Sequence, residues 1–139
     1  MLADKGLRFA AACAAFVISI ALSTIALSTI ARADGTGYFT ADQVTAGRLA
    51  YASDCATCHG ASLQGGGAPS LSGRGFALEW SGKTLQDLYG FVHKEMPLGR
   101  AGTLRDQTYA DIVSYVLSEN GIAPGDSKLT PKTDRKSVV

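Results

Sequence analysis

"CATCHG", residues 55–60, places Cys55 and Cys58 two residues apart and His59 directly after the second cysteine. Two thiols at this spacing suit a thioredoxin-like redox pair, half of a zinc site, or covalent haem attachment. Zinc needs two more thiolates or imidazoles, and beyond residue 33 the chain has no further cysteine and one further histidine, His93. A thiol oxidoreductase calls for a strand before the pair and a β-α-β pattern around it, whereas this pair follows an amphipathic helical pattern. The histidine after the second cysteine makes the motif C-x-x-C-H, the spacing of c-type haem attachment. Each thiol can then add to a vinyl group along one porphyrin edge. The imidazole of His59 projects under the ring as the proximal iron ligand. A covalent macrocycle also supplies apolar core to a domain of about 100 residues, a size at which cores are thin.

The other face of the iron separates a carrier from a catalyst. Besides Met1 the chain has a single methionine, Met96, in "KEMPLGRAGTL" at residues 94–104. Pro97 biases Met96 toward extended backbone, and Gly99 and Gly102 loosen the next few residues, so the thioether can sit on a loop crossing the haem. A lone methionine is otherwise a core filler. His93 ends the segment 85–95, in which Leu85, Leu88, Tyr89 and Val92 follow helical spacing, and reads as a solvated histidine at a helix end. Met96 is the expected sixth ligand. A His59/Met96 pair favours ferrous iron and closes the metal to substrates, leaving one-electron transfer as its chemistry.

The first third of the chain reads as an export signal. Lys5 and Arg8 precede the apolar to weakly polar run 9–30, which breaks at Ala31-Arg32-Ala33. The run is long for a signal and near the ~20 residues that span a bilayer, so an uncleaved membrane anchor is the alternative. Ser19, Ser23, Thr24, Ser28 and Thr29 dilute it, and cleavage after Ala33 is expected. The tandem "IALSTIALST" (20–29) has neither a helical nor a strand period and reads as low complexity. Cys13 stands ahead of most of the apolar run, which argues against a lipid anchor. Residues 34–139 then hold ten basic and eleven acidic side chains, a balance that points to no nucleic-acid partner.

"CATCH", "APSL" at 68–71 and "MP" at 96–97, ahead of an amphipathic C-terminal helix, resemble class I monohaem cytochromes c. More narrowly, "YASDCATCHGASLQGGGAPSL" (51–71) with "MPLGRAGTLRDQTYADIVSYVLSENG" (96–121) is similar to small bacterial cytochromes c that work with periplasmic dehydrogenases. The resemblance covers residues 38–121. It implies one covalent haem c, bound by Cys55, Cys58, His59 and Met96. It implies that the Pro69 carbonyl accepts the Nδ1 proton of His59; on spacing alone Pro69 is a turn residue after the glycine run 65–67. It places Trp80 beside a haem propionate, where composition alone allows a core or surface aromatic.

The expected fold is all-α, the cytochrome c fold, with several helices and loops around one haem. Thr40 with Gln43 makes a capping box opening a helix to about Cys55, with Val44, Gly47, Leu49 and Tyr51 among its less polar positions. Asp106 can cap a second helix with Tyr109, Ile112, Val113 and Val116 as its apolar stripe, stopped at Asn120-Gly121. In the family these helices cross closely, which implies Gly47 at the crossing and Tyr51 against Ile112 or Tyr115. The expected organisation is a signal peptide at 1–33, a cytochrome c domain at 34–121 and a polar, mobile tail at 122–139.

The resemblance further implies a periplasmic, non-enzymatic electron carrier that takes electrons from a dehydrogenase and passes them to an oxidase or membrane cytochrome. It would touch the membrane only if its N-terminus is uncleaved. Lys83, Lys94, Arg100 and Arg105 lie near the expected haem edge, as docking charges or as ordinary surface charge. Two alternatives stay open: a haem enzyme or gas-binding sensor with an open or labile sixth position, for which a peroxidase would want His93 as its distal acid-base group, and a fixed subunit of a dehydrogenase complex.

Overall fold

Five helices and no extended strand make up residues 37–132, the part of the chain that the computed structural model describes. They are α1 (Ala41–Asp54), α2 (Ala56–His59), α3 (Gly73–Trp80), α4 (Leu85–Glu95) and α5 (Asp106–Glu119). The expected signal segment, Cys13 and residues 133–139 lie outside the described residues. None of the described helices is long and apolar enough to cross a membrane.

The most extensive helix pairing is α1 on α5. Helix α1 opens on the expected capping box: the Thr40 hydroxyl accepts from the Gln43 N–H at 3.3 Å, and the Gln43 carboxamide accepts from the Thr40 N–H at 3.4 Å. Its buried residues are Gln43, Gly47 and Tyr51, one turn apart, while Leu49 is turned out to solvent. A face this poor in aliphatic groups packs by close backbone approach. A Cβ at Gly47 would run into the main chain of Asp111 and the Cβ of Tyr115, so only glycine fits the crossing. The Tyr51 ring meets Tyr115 with centroids 5.4 Å apart. Burial, with Cys55 and Tyr115 nearby, pushes the Tyr51 hydroxyl up to about 12, so it stays a neutral donor.

Helix α5 is the centre of the domain, buried at every residue from Tyr109 to Leu117 except the half-buried Asp111. Its stop is the expected one, with Gly121 left-handed at φ 86° and the Ile122 N–H returning to the Leu117 carbonyl at 3.2 Å. Its start differs from expectation. Arg105, not Asp106, occupies the cap position and gives no side-chain cap; Asp106 is the first helical residue and directs its carboxylate to His93 instead.

Helix α3 was not anticipated, because Gly73 and Gly75 in its first turn obscure the one-turn pair Phe76 and Trp80 that it buries. Its entry is fastened by Asn120, whose side chain accepts from the Gly73 N–H and donates to the Leu71 carbonyl, both at 2.9 Å. Helix α4 begins with a Thr84/Asp87 capping box and buries Leu85, Leu88 and Tyr89.

The expectation of a mobile tail from residue 122 is corrected for residues 122–132. Leu129 is 1 % exposed. The Gln43 carboxamide holds its backbone at both ends, accepting from the Leu129 N–H at 2.8 Å and donating to its carbonyl at 2.9 Å. The Gly125 N–H donates to the Phe39 carbonyl at 2.8 Å. A single leucine among polar neighbours gives no periodic signal, yet it closes the core beside the start of α1.

Two substitutions check this packing by denaturant unfolding of the haem-loaded protein. Leu129→Ala is expected to cost about 2–5 kcal/mol, as for a core leucine; a loss below about 0.5 kcal/mol is what a loose tail would give. Gly47→Ala is expected to destabilise by about 1–3 kcal/mol through overpacking, despite alanine's higher helix propensity.

Candidate functional site

Helix α1 ends where the cysteines begin. The Cys55 N–H closes the last turn of α1 on the Tyr51 carbonyl at 2.9 Å, and Cys55 then leaves helical geometry at φ −125°, ψ −34°. The chain re-enters a single turn, α2, with the N–H groups of Cys58 and His59 both directed at the Cys55 carbonyl, at 3.2 and 3.0 Å. Residues three apart on such a turn share a face, so both thiols serve one edge of a planar ligand. Both are free thiols, Cys55 half-buried and Cys58 exposed. Burial, followed by the nearby Asp54 and Cys58, pushes the Cys55 thiol up to about 11, so it is held neutral.

The loop after His59 folds back beneath the motif. Gly60 turns it at φ 82°, with the Tyr51 hydroxyl donating to the Gly60 carbonyl at 2.6 Å. The Gly65 N–H then donates to the His59 carbonyl at 2.8 Å, and the Ala68 N–H to the Cys58 carbonyl at 3.0 Å. Leu63, fully buried, ties the loop to its own exit through the Leu71 N–H at 2.8 Å. These bonds put the Pro69 carbonyl 2.7 Å from His59 Nδ1. A carbonyl can only accept, so Nδ1 carries the proton and the lone pair lies on Nε2. His59 is 8 % exposed, its tautomer and ring plane both set.

The remaining residues singled out by sequence divide. Met96 ends α4 in extended geometry, φ −124° and ψ 153°, before a cis Met96–Pro97 bond, and is half-buried. His93, in the last turn of α4 and partly exposed, has ring neighbours as well as solvent: it stacks on Tyr89 and tilts against Tyr109, with centroids 5.9 and 4.8 Å away, and Nε2 lies 3.3 Å from the Asp106 carboxylate. Trp80 is buried with its edge to Phe91, and the Lys83 ammonium lies 4.6 Å over its ring. Of the four cations near the expected edge, Lys83 also pairs with Glu79 at 2.7 Å and Arg100 with Asp54 at 3.2 Å. Sequence reading missed Tyr109 as more than a core residue, and it missed the Arg100–Asp54 link, since 46 residues separate the partners.

The sequence model of the family described as cytochrome c oxidase, cbb3-type, subunit III, matches residues 42–116, more than half of the chain. The chain belongs to this family. The all-α cytochrome c fold expected from the motif is the one observed. Among curated proteins none matches. Among solved structures, that of the sulfane dehydrogenase SoxCD from Paracoccus pantotrophus matches with a TM-score of 0.49 and 24% identity, covering 70% of this chain and 57% of that one. The chain thus spans little more than half the length of that relative.

The residues of this cytochrome fit covalent haem c. Cys55 and Cys58, on one face of a turn, would hold it through thioethers to its two vinyl groups, and His59, with its Nδ1 proton committed to the Pro69 carbonyl, would offer Nε2 to the iron. No group of three or more His, Cys, Asp or Glu that could hold a metal ion occurs among the described residues. Residues 42–116 thus form a cytochrome c domain suited to one covalent haem c.

Replacing both Cys55 and Cys58 by serine removes the covalent link. Acidified organic solvent is then expected to extract the haem from the folded variant, whereas the wild-type colour stays with the polypeptide.

Proposed function

We propose that this cytochrome is a periplasmic one-electron carrier with His59 and Met96 as axial ligands, exported by residues 1–33, receiving electrons from a dehydrogenase and delivering them to an oxidase or membrane cytochrome. One observation supports this reading above the others. The chain has two histidines; His59 belongs to the attachment motif, and His93 is held by Asp106, Tyr89 and Tyr109. A haem peroxidase needs an acid-base group above the metal, and the one imidazole that could serve is engaged with α5 through Asp106 and Tyr109. Met96, on extended backbone at the end of α4, is the soft donor that remains.

In this reading haem c supplies a one-electron iron couple, and the protein's own groups tune it. Pro69 draws on the His59 Nδ1 proton, which makes Nε2 more basic. A thioether opposite it favours the ferrous state. Trp80, buried beside Phe76, Phe91 and Lys83, is proposed to flank the haem edge. Lys94 and Arg105 are the exposed cations left for an acidic partner face, so docking would weaken as salt rises.

Met96→Ala and His93→Ala, compared side by side, test the axial pair. Met96→Ala is expected to abolish the far-red sulfur-to-iron charge-transfer band of the ferric protein, lower the potential and admit carbon monoxide. His93→Ala is expected to keep the band. The opposite pattern, or a wild-type protein without the band, rejects Met96 as ligand.

A further inference from the structure

The chain from Met96 to the start of α5 has little to hold it in place by burial. Every residue at 98–103 is exposed, Leu98 at 86 %. Internal bonds, from the Arg100 N–H to the Pro97 carbonyl at 2.8 Å and from the Thr103 hydroxyl to the Arg100 carbonyl at 2.6 Å, shape a turn without fixing where it sits.

Two polar ties do fix it. The Tyr109 hydroxyl, on a side chain only 1 % exposed, donates to the Met96 carbonyl at 2.8 Å and accepts from the Leu104 N–H at 3.4 Å, so one atom holds both ends of the loop to α5. At the apex, Arg100 Nη2 lies 3.2 Å from Asp54 Oδ1. Asp54 is the last residue of α1 and directly precedes Cys55. The loop that presents Met96 is therefore tied to α5 at both ends, and in its middle to the segment that carries the haem-linking thiols.

We infer that Tyr109 and the Asp54–Arg100 pair are positioning residues for the sixth ligand, holding the Met96 loop closed against the attachment segment so that external ligands cannot reach the iron. This rests on the reading of Met96 as axial ligand. An exposed ion pair adds little to global stability; its effect here is on one local opening equilibrium, whose open fraction scales the apparent affinity of any incoming ligand.

The test is imidazole binding to the ferric haem-loaded protein, read as loss of the far-red charge-transfer band, with the melting temperature measured in parallel. Loss of one hydrogen bond worth about 1 kcal/mol corresponds to about fivefold tighter apparent binding for Tyr109→Phe. Asp54→Asn and Arg100→Gln are each expected to tighten binding by up to about fivefold, and the double variant no further than either single one, since both remove the same contact. Tyr89→Phe is the control, because the Tyr89 hydroxyl bonds to the Asp106 carbonyl at 3.4 Å and not to the loop; it should bind imidazole as the wild type does. If Tyr109→Phe, Asp54→Asn and Arg100→Gln bind imidazole as the wild type does while the wild-type band is intact, the positioning role is overturned and the axial pair stands. Equal tightening in Tyr89→Phe, or tightening that only tracks the melting temperature, also overturns it. A wild type without the band overturns both readings together.

Discussion

The 2.7 Å hydrogen bond between His59 Nδ1 and the Pro69 carbonyl is the constraint around which this structure is arranged. A free imidazole has two tautomers and a rotating ring; an acceptor placed on Nδ1 leaves one of each, and the remaining nitrogen becomes a defined donor to a metal. Holding a proline carbonyl in that place takes a loop that returns on itself within ten residues. The loop does so by donating two backbone N–H groups, from Gly65 and Ala68, to the carbonyls of His59 and Cys58. Gly65, at φ 88°, with Ser70 and Ala68 only about 3 Å from where a Cβ would stand, has no room for a side chain. The glycine run is thus part of the imidazole's support.

That support needs a rigid frame, and the crossing of α1 and α5 provides it. Tyr51 sits one turn before Cys55, packs on Tyr115 of α5 and donates its hydroxyl to the Gly60 carbonyl at 2.6 Å. One side chain thereby joins the helix crossing to the first residue of the proximal loop. On the far end of α1, Gln43 caps its own helix, reaches Asp111 of α5 at 3.0 Å and holds the backbone of Leu129. Buried amides are stable only when satisfied, and this one is satisfied by three separate parts of the chain.

The segment that follows Met96 is organised on different terms. The proximal loop is held by backbone bonds and the buried Leu63, whereas residues 98–103 are exposed and the loop they form depends on a tyrosine hydroxyl and an ion pair. Such a segment is drawn from the less stable part of a fold. The same α5 residues that border it, Asp106 and Tyr109, also meet His93.

Local spacing determined the chemistry of this protein: the C-x-x-C-H motif, the capping box at Thr40, the periodicity of α4 and α5 and the glycine stop at Gly121 are short-range patterns, each legible because its partners are neighbours in the chain. The helix crossing at Gly47 was foreseen only through family resemblance. What tertiary structure alone decided are contacts between residues far apart in sequence: Arg100 with Asp54, Gln43 with Leu129, Tyr109 with Met96, His93 with Asp106. Helix α3 was hidden because its glycines lower propensity while two aromatics, packed only in the folded state, repay it. The physical reason is the same throughout. Backbone propensity acts within a few residues, whereas burial and the pairing of polar groups depend on which distant segment the fold brings alongside.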